Sequence, residues 1–575
     1  MDYKDLYRSW LESPALSGAE RDELQAIRHD EKEIESRFFA PLQFGTAGLR
    51  GVVGMGVNRM NIYTVRQATQ AIANLIRSLD ETAKKRGVAI SYDCRINSRE
   101  FAEEVSSVLA ANGISVHLFD EMRPTPELSF TIRHLRCIAG INITASHNPK
   151  EYNGYKVYWE DGAQVPPEEA SVIAKEMEKT DIFTGVRRMP FDDAKKSGLV
   201  RMIGSEIDEA FLENVMKTSV NPDCVKAVAD DLRLVYTPFH GTGYKLVPEA
   251  LSRLGCRNIR CVEEQMIPDG TFPTVKSPNP ENKEGFALAI ELAKKENIDL
   301  IIGTDPDADR IGVVLRDPAG EYNPITGNQL GVLLIDYLIR AKKKKGTLPK
   351  NAAAIKTIVT TEMARAVCER NCVSCFDTFT GFKFMAEKIK EFEETRLYSC
   401  IIAFEESYGY LIGGHVRDKD AVTAAVLITE MAAYYKAKNM TLYDALNRLF
   451  ETYGYYQEYT INTVMPGVDG LQRMQRLMDD LRANPPSTIG DTPVSRVRDY
   501  LSGHARCLAS GKTEALEISG SNVLYFELSD KTSFIVRPSG TEPKIKTYIL
   551  ASAKTKEDAQ EKVRRYTEAA AELIK

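Results

Sequence analysis

The sequence predicts an α/β protein of four domains: three related βαβαβ domains with mixed or parallel sheets, and a C-terminal α+β domain. Short apolar runs alternate with amphipathic stretches along most of the chain. The C-terminal segment instead carries apolar runs that are spaced as antiparallel strands. The length of 575 residues suits about four domains at ~100 to 200 residues each.

The first series of strand and helix patterns follows a polar, helical N-terminal arm. Its strand patterns are VAISYD (88–93), ISVHLFD (114–120) and CIAGINI (137–143). Its helix patterns are SREFAEEVSSVLAANG and PELSFTIRHL. This alternation predicts mostly parallel strands joined by crossover helices.

Two further series repeat this pattern without obvious sequence identity. The second contains LRLVYTPF (232–239), TGYKLVPEALSRLG, IRCVEEQ, KEGFALAIELAKKEN and IDLIIG. The third contains AAIKTIVTT (353–361), a helix pattern, VSCFDTF, FKFMAEKIKEF and YSCIIAF (398–404), and then a long helix after Asp420. Each series therefore predicts one α/β domain.

The C-terminal segment predicts antiparallel strands and a closing helix. The strand patterns are NVLYFELS, TSFIVRP and IKTYILAS, and the helix pattern is KEDAQEKVRRYTEAAAELI. Polar stretches between the series place the predicted domains at 1–205 (with the arm), 206–318, 319–460 and 461–575.

Composition excludes several classes of function. The chain has 75 basic and 81 acidic residues, which argues against a broad surface for nucleic acid or anionic membrane. The charged N-terminus lacks the apolar core of a signal peptide, and no apolar run approaches the ~18 residues of a membrane span. We expect a cytoplasmic protein with no nucleic-acid or membrane partner.

One cysteine cluster has a spacing that iron–sulfur proteins use. Cys368, Cys372 and Cys375 have CxxxCxxC spacing. The first lies at the end of a helix pattern and the other two in a strand pattern, where residues three apart face opposite sides. We therefore interpret all three as structural cysteines.

Three polar loops begin where predicted strands stop. TASHNPK follows INI, TDPDADR follows LIIG, and EESYGY follows CIIAF. Ligands of open α/β sheets collect beyond the carboxyl ends of the strands, so the shared position of these loops indicates one cleft.

The second loop predicts a site for a divalent cation. Asp305, Asp307 and Asp309 alternate, and in an extended loop their carboxylates point to the same side and offer hard oxygens to Mg²⁺. An EF-hand is excluded, because Arg310 and Arg316 stand where glycine and glutamate are required. The alternative is a solvated acidic turn.

Ser146 is a candidate carrier of phosphate beside this cation. Three carboxylates leave the octahedron of Mg²⁺ incomplete, and phosphate oxygens commonly complete it. A phosphoserine would supply such oxygens without any Ser-His-Asp triad. The alternative for Ser146 and His147 is a loop cap.

A second phosphate site is predicted near the C-terminus, in RPSGTEPK (537–544). Arg537, the hydroxyls of Ser539 and Thr541, and backbone amides around Gly540 suit a phosphate that is held without being attacked. The alternative is a plain β-turn at Pro538 and Gly540.

Together these segments resemble the α-D-phosphohexomutase family, which contains the phosphoglucomutases and phosphomannomutases. Six strings carry the resemblance in order along almost the whole chain: FGTAGLRG (44–51), TASHNPKEYNGYK (144–156), TDPDADR (304–310), TGFKF (380–384), FEESYGY (404–410) and RPSGTEPK. The chain looks closest to the long phosphoglucomutases, some of which also act on phosphopentoses. Its EESYG is nearer the glucomutase form EESFG than the GEMSGH of many mannomutases.

The resemblance implies four domains around a central cleft and a role for each matching residue. Ser146 would be phosphorylated and would bind Mg²⁺ together with Asp305, Asp307 and Asp309. Basic residues near the transferred phosphoryl group would be Arg50, His147, Lys156, Arg310 and Lys419. Substrate-binding residues would be Thr380, Gly381, Glu405, Ser407, Arg537, Ser539, Gly540, Thr541 and Lys546.

The resemblance further implies a mutase reaction on small sugar phosphates. Phospho-Ser146 would donate its phosphoryl group to glucose 1-phosphate, and the glucose 1,6-bisphosphate formed would turn around and return its other phosphate. The general base stays open among Lys156, Lys419, His147 and His415, the last of which also suits a loop-structuring role. Phosphopentose or mannose phosphate as substrate, a non-catalytic sugar-phosphate sensor and a bisphosphate synthase are the alternatives. We expect a monomer or a dimer.

Overall fold

A computed structural model describes residues 2–45, 48–465, 470–539 and 544–574. These residues form two compact units, one of Met1–Gly327 with Ile401–Leu442 and one of Asn328–Cys400 with Tyr443–Lys575. No helix in these ranges is both long enough and apolar enough to cross a bilayer.

Three short helices form the N-terminal arm: α1 (Tyr3–Glu12), α2 (Gly18–Ala26) and α3 (Glu31–Phe38). The side chain of Ser17 caps α2, in a capping box with Glu20. Trp10 and Phe38 of the arm pack edge to face, and Trp10 also packs against Tyr63 of the first domain. The arm is therefore anchored to the first domain by aromatic contacts.

The first sheet has the order β1-β5-β4-β2-β3-β6. Its strands are β1 (Gly48–Val52), β2 (Val88–Tyr92), β3 (Val116–Phe119), β4 (Ala139–Ile143), β5 (Tyr152–Trp159) and β6 (Val200–Ile203). Its helices are α4 (Ile62–Leu79), α5 (Glu81–Arg86), α6 (Ser98–Ala111), α7 (Thr125–Leu135), α8 (Pro167–Lys179) and α9 (Phe191–Lys196). Strands β4, β2, β3 and β6 are parallel, whereas β5 runs antiparallel to β4 and β1.

The second sheet has the order β11-β10-β9-β7-β8. Its strands are β7 (Arg233–Thr237), β8 (Asn258–Cys261), β9 (Leu300–Thr304), β10 (Ile311–Arg316) and β11 (Tyr322–Ile325). Its helices are α10 (Ser205–Met216), α11 (Pro222–Ala227), α12 (Gly243–Leu254) and α13 (Ala287–Glu296), with 3₁₀ turns at Glu263–Gln265 and Lys283–Phe286. As in the first sheet, parallel strands are followed by an antiparallel one: β7 is parallel to β8 and β9, and β10 runs antiparallel to β9.

The third series repeats parts of this order. It contains α14 (Gly327–Lys345), β12 (Ala352–Thr357), α15 (Met363–Arg370), β13 (Ser374–Thr378), α16 (Phe382–Thr395), β14 (Ser399–Glu405), β15 (Gly409–Leu411), α17 (Ala421–Lys436) and α18 (Leu442–Tyr453). Strands β12 and β13 are parallel, and β14 and β15 form an antiparallel hairpin. Asp420 caps α17, the long helix that the sequence predicts there.

The C-terminal segment folds into a largely antiparallel sheet. Its elements are β16 (Tyr455–Val464), α19 (Gly470–Ala483), β17 (Thr488–Ile489), β18 (Thr492–Asp499), β19 (His504–Cys507), β20 (Thr513–Ala515), β21 (Leu524–Leu528), β22 (Ser533–Pro538), β23 (Lys544–Ala553) and α20 (Lys556–Leu573). The sheet order is β16-β23-β22-β21-β18-β19-β20, with β17 paired to β18. The predicted α/β class with a sheet-rich C-terminal domain is thus confirmed, while the domain limits at 205, 318 and 460 stay predictions.

One detail of the cysteine prediction is wrong. Cys372 lies in the turn before β13, with φ of +57°, and not in the strand. The chain has to reverse between α15 and β13, and Cys372 is part of that reversal. Within the described ranges, the one group of three or more Asp, Glu, His or Cys side chains close enough to share a metal ion is the aspartate group of the second domain.

Candidate functional site

Three hairpin turns of the first compact unit carry most of the predicted site. We name them the serine loop (residues 144–151, between β4 and β5), the carboxylate loop (305–310, between β9 and β10) and the glutamate loop (406–408, between β14 and β15). The sequence analysis located the strand before each loop but did not assign the antiparallel strand after it. Each loop is consequently a hairpin turn held at both ends.

Backbone hydrogen bonds join the glutamate loop to the carboxylate loop. The amide of Ile311 donates to the carbonyl of Tyr408 at 3.1 Å, and Arg310 forms an isolated antiparallel bridge with Gly409. A Cβ on Gly327, at the start of α14, would lie 2.3 Å from the carbonyl oxygen of Glu406. The glutamate loop is therefore confined from two sides.

The three aspartates converge, but not in an extended loop. Oxygens of Asp305, Asp307 and Asp309 lie within 4.8 Å of one another, and all three side chains are buried. The loop is a compact turn with Ala308 at φ of +49°, so the sequence-based geometry is wrong although the convergence is confirmed. Asp305 Oδ1 closes the turn by accepting the amides of Asp309 (3.2 Å) and Arg310 (3.0 Å).

Ser146 contacts this aspartate group directly. Its Oγ donates to Asp305 Oδ2 at 2.7 Å and lies 3.2 Å from Nδ1 of His147. The residue is 3% exposed and has φ of +53°, in the left-handed region that non-glycine residues seldom adopt. Its amide donates to Thr144 Oγ1 at 2.9 Å, which helps to hold this conformation.

Two lysines balance the charge of the aspartates. Lys156, on β5, lies 2.6 Å from Asp307 Oδ2 and 3.4 Å from Asp309 Oδ2. Lys419 Nζ lies 3.2 Å from Asp309 Oδ2 and 3.1 Å from Asp418 Oδ1. Burial alone would lower the pKa of each lysine, but the carboxylates raise it above its ordinary value. Both lysines are therefore cationic.

The carboxylates respond in opposite directions. Burial and then the charges of Asp307 and Asp309 raise the pKa of Asp305 well above its usual value. Burial would also raise the pKa of Asp307, but Lys156 and the hydroxyl of Thr125 outweigh it, and the pKa is lowered. The surroundings thus favour the neutral form of Asp305 and the charged form of Asp307.

Three further basic residues surround the serine loop. Burial and then the positive charges of Arg310 and Arg50 lower the pKa of His147 well below its usual value. Arg310 pairs with Glu281 at 3.0 Å, and Arg50 donates to Asn148 Oδ1 at 3.0 Å. The structure thus places all five predicted basic residues in the unit that contains Ser146.

The strand that leads into the glutamate loop supplies a further acidic residue, Glu405. Glu405 is buried at the end of β14, and burial raises its pKa against the opposing charges of Lys419 and Arg310. The hydroxyl of Ser407 is hydrogen-bonded to Glu405. His415 instead lies 3.2 Å from Asp420, the cap of α17, which fits its loop-structuring interpretation.

The remaining predicted residues belong to the second compact unit. Thr380 and Gly381 precede α16, and Gly381 has φ of +118°. Arg537 on β22 stands directly opposite Lys546 on β23, so their side chains share one face of the sheet. The amide of Ser539 donates to the carbonyl of Lys544 at 2.8 Å. The predictions for Gly540 and Thr541 lie outside the described residues.

Sequence reasoning missed several residues that position the site. Thr125, at the start of α7, donates its hydroxyl to Asp307 Oδ2 at 2.7 Å and its amide to the Asp307 carbonyl at 2.9 Å. Asp418 accepts the hydroxyl of Tyr158 at 3.0 Å and so fixes the carboxylate beside Lys419. No local motif marks these residues, although the alternating run YNGYKVYW could have identified β5.

Comparisons with known proteins agree with this geometry. Models described as phosphoglucomutase/phosphomannomutase α/β/α domains I, II and III match residues 41–182, 209–320 and 326–453. A phosphoglucomutase of Staphylococcus aureus (strain MSSA476) is 35% identical over 549 residues, which cover 95% of this chain and 96% of that protein.

Solved structures share the fold at lower identity. The open form of the exocytosis-sensitive phosphoprotein pp63/parafusin, a phosphoglucomutase from Paramecium, matches with a TM-score of 0.68 and 18% identity over 92% of this chain and 96% of that one. A phosphoglucomutase/phosphomannomutase family protein from Burkholderia thailandensis matches with a TM-score of 0.66 and 18% identity, covering 92% of this chain and 97% of that one.

Proposed function

Because the chain belongs to the phosphoglucomutase/phosphomannomutase family, we propose that it interconverts glucose 1-phosphate and glucose 6-phosphate. The reaction runs through a phosphorylated Ser146 and a glucose 1,6-bisphosphate intermediate. The observation that carries this proposal is the Ser146 hydroxyl, 2.7 Å from Asp305 at the edge of a buried group of three carboxylates. A phosphoryl group on that oxygen would meet whatever cation the carboxylates hold.

Mg²⁺ is the cation that this donor set fits. Oδ1 of Asp307 and Oδ1 of Asp309 are buried and accept no hydrogen bond from the described residues, so both are available as ligands. Asp305 and an oxygen carried by Ser146 would complete the set. When bound, the metal supplies positive charge that neutralises the oxygens of the transferring phosphoryl group.

The basic side chains complete the electrostatic environment of the transfer. Phosphoryl transfer depends mainly on positioning and on stabilisation of charge over the equatorial oxygens. Lys156 and Lys419 are cationic beside the aspartates, and we assign Arg50 and Arg310 to the same phosphoryl group. A bound phosphate would compete with Glu281 for Arg310, because both offer oxygens to the guanidinium.

The reaction consists of two phosphoryl transfers that mirror each other. In the first, the bond from Ser146 Oγ to phosphorus breaks, and a bond forms from phosphorus to the 6-hydroxyl oxygen of glucose 1-phosphate, whose proton goes to a base. After the bisphosphate has turned around, Ser146 Oγ forms a bond to the phosphorus at the 1-position and the bond from that phosphorus to the 1-oxygen breaks. The 1-oxygen takes the proton back from the base, and glucose 6-phosphate leaves. Of the candidate bases, His147 is the one whose lowered pKa favours the neutral form that can accept this proton, whereas the raised pKa values of Lys156 and Lys419 favour the protonated form, which cannot.

Both orientations of the bisphosphate need recognition at a distance from Ser146. We assign Glu405 and Ser407 to the sugar hydroxyls, since a carboxylate and a hydroxyl can bind the middle of the ring in either orientation. The phosphate that is not transferred is assigned to residues of the second unit, namely Arg537, Ser539, Gly540, Thr541 and Lys546. Thr380 and Gly381 of the same unit are assigned to substrate binding. The paired positions of Arg537 and Lys546 support a common anion site.

The test of the mechanism is the phosphorylation state of Ser146. Mass spectrometry after incubation with glucose 1,6-bisphosphate and Mg²⁺ should locate one phosphate on Ser146. Ser146→Ala should lose this phosphate and nearly all mutase activity, whereas Ser197→Ala, at an exposed position after α9, should retain both. A wild-type protein that turns over sugar phosphate without phosphate on Ser146 would contradict the mechanism.

The substrate is tested by competing sugars. We expect kcat/KM to be larger for glucose 1-phosphate than for mannose 1-phosphate or ribose 1-phosphate, because EESYG is nearer the glucomutase form of this loop. The comparison is decisive, since substrate specificity is the ratio of the kcat/KM values. A larger value for either competitor would assign the site to that sugar. Tight binding without turnover would identify a sensor, and bisphosphate made from 1,3-bisphosphoglycerate would identify a bisphosphate synthase.

A further inference from the structure

One buried arginine outside the predicted site holds the serine loop by its backbone. Arg95 follows β2 and is 3% exposed. Its Nη2 donates to the carbonyls of Ser146 and Asn148, each at 2.5 Å. Its Nη1 donates to the carbonyls of Pro149 (2.8 Å) and Tyr152 (2.9 Å). A single guanidinium thus ties together four carbonyls of one turn.

A carboxylate beside this arginine reaches the same loop by a second route. Asp93 Oδ2 lies 3.3 Å from Nε of Arg95 and accepts the hydroxyl of Thr144 at 2.6 Å. Thr144 Oγ1 in turn accepts the amide of Ser146. Both the amide and the carbonyl of Ser146 are therefore fixed by the Asp93 and Arg95 pair, which stabilises its unusual positive φ.

The second domain supports Arg95 from the other side. The guanidinium carbon lies 5.1 Å from the ring centroid of Phe272, in a cation–π contact. A Cβ on Gly270 would lie 2.6 Å from the carbonyl oxygen of Cys94, so the backbones of the two domains approach closely there. We name residues 267–275 the brace loop.

The brace loop is itself fixed by the turn after β7, the strand that pairs with β9. His240, in the turn after β7, has Nδ1 2.8 Å from the carbonyl of Ile267 and Nε2 2.8 Å from Thr274 Oγ1. The next turn residues contact the carboxylate loop, since the amide of Thr242 donates to the carbonyl of Pro306 at 2.8 Å. The turn after β7 thus contacts both the brace loop, which supports Arg95, and the carboxylate loop.

We propose that Arg95 is a positioning residue for phosphoryl transfer. It holds the serine loop against the brace loop, and this keeps Ser146 Oγ beside the aspartate group. The inference rests on the proposed function. The guanidinium of Arg95 donates to four backbone carbonyls, so we expect it to act on the transfer step and not on affinity for substrate.

The central experiment replaces Arg95 by alanine. A displacement of about 1 Å can cost on the order of 100-fold in rate, so kcat should fall by about that factor. The KM for glucose 1-phosphate should stay within about twofold of the wild-type value, because the substitution removes no residue that we assign to substrate binding. Rates are expressed per folded molecule, with folding followed by circular dichroism and Tm.

Chemical rescue separates positioning from a general structural role. Free guanidinium ion should restore part of the lost kcat of Arg95→Ala, since it can occupy the cavity and bind the same carbonyls, whereas ammonium at equal concentration should restore less. Arg99→Ala is the matched control, because Arg99 is exposed on α6 and pairs with Glu103 at 3.2 Å. It should leave kcat unchanged.

Two further variants keep the inference testable if Arg95→Ala does not fold. Arg95→Lys retains the charge beside Asp93 but cannot reach four carbonyls, so kcat should fall with unchanged KM. Phe272→Leu removes the ring behind the guanidinium and should lower kcat by a smaller factor in the same way. A folded Arg95 variant with wild-type kcat, or one whose loss guanidinium does not restore while Phe272→Leu has no effect, would overturn the inference.

The failure of this inference differs from failure of the proposed function. If the wild type neither carries phosphate on Ser146 nor converts sugar phosphates, the proposed function is wrong. If the wild type does both and the Arg95 variants match it, only the positioning role is wrong.

Discussion

At the scale of single residues, the site is an unusually placed serine beside three buried carboxyl groups. Ser146 adopts a left-handed backbone conformation, and Asp305, Asp307 and Asp309 are shielded from water. Neither feature stabilises the fold by itself, because backbone strain costs ~1–3 kcal/mol and buried carboxylates must be compensated. Such costs are characteristic of a site whose arrangement serves a reaction.

The aspartate group gives the first residue-scale prediction. Asp309→Asn removes one of three carboxylates, so the Mg²⁺ concentration for half-maximal activity should rise by about 10- to 100-fold. An activity titration with Mg²⁺ measures this shift, and EDTA should abolish wild-type activity until Mg²⁺ is restored.

The matched control for Asp309→Asn is an aspartate at the other end of β9, the strand that leads into the carboxylate loop. Asp299, just before β9, has a side chain that is 54% exposed and pairs with Arg316 at 3.5 Å. Asp299→Asn should leave the Mg²⁺ titration unchanged. Equal Mg²⁺ dependence of Asp309→Asn and the wild type would exclude the aspartate group as the metal site.

At the scale of elements, the hairpin turn is the repeated unit of the site. In three places a buried strand ends, a polar loop turns and an antiparallel strand returns: β4 to β5, β9 to β10 and β14 to β15. A hairpin fixes both ends of its loop, whereas a loop that leads into a distant helix is fixed mainly at one end. This explains how short polar loops can hold side chains at fixed distances.

The glutamate loop gives the element-scale prediction. In most helices Gly→Ala is favourable by about 1 kcal/mol, but a Cβ on Gly327 would lie 2.3 Å from the Glu406 carbonyl oxygen. Gly327→Ala should therefore displace the glutamate loop and raise the KM for glucose 1-phosphate by roughly tenfold.

Gly18→Ala is the control for this substitution, since Gly18 begins α2 and a Cβ there meets nothing within 4 Å. Steady-state kinetics of both variants decide the matter. If Gly327→Ala leaves KM unchanged, the glutamate loop does not contribute to substrate binding through this contact.

At the scale of the whole molecule, each compact unit contains its own part of the predicted site. Ser146, the aspartates and the lysines lie in the first unit, and Arg537 and Lys546 lie in the second. The strand β16 opens the C-terminal sheet by pairing along β23, and its Glu458 is hydrogen-bonded to the side chains of Thr361 and Asn328. This carboxyl joins the third series to the C-terminal sheet within the second unit.

Glu458 gives a pH prediction for the stability of that unit. Burial raises the pKa of Glu458 from 4.5 to about 7. The unfolded chain loses this proton at lower pH than the folded one, so the contribution of Glu458 to stability is greatest below pH ~4.5 and falls as pH rises to about 7. Glu458→Gln should weaken the fall of Tm between about pH 5 and about pH 8.

Calorimetry of wild type and variant at the two pH values measures the difference, with exposed Glu572 on α20 as the site of the control, Glu572→Gln. The control should follow the wild type. A variant Glu458→Gln with the same pH dependence as wild type would show that Glu458 ionises normally in the folded protein.

The sequence by itself determined which residue types each loop offers and so which residues we predict to carry the chemistry. Periodicity located the strands that end at each loop, and the residue types of Ser146 and of DPDAD favoured a cation and a phosphate, because carboxylate oxygens suit Mg²⁺ and a hydroxyl can carry a phosphoryl group. The order of six strings along the chain carried the resemblance to the phosphohexomutases, which the family matches confirm.

Only the tertiary structure decided how these residues meet. Thr125, Asp418 and Arg95 are distant from Ser146 or from the aspartates along the chain, and their contacts depend on packing that no local pattern encodes. The same holds for the compact carboxylate turn, where amides bound by Asp305 replace the expected extended loop. Residue type is a local property, whereas the distance between two loops is set by every sheet and helix packed between them.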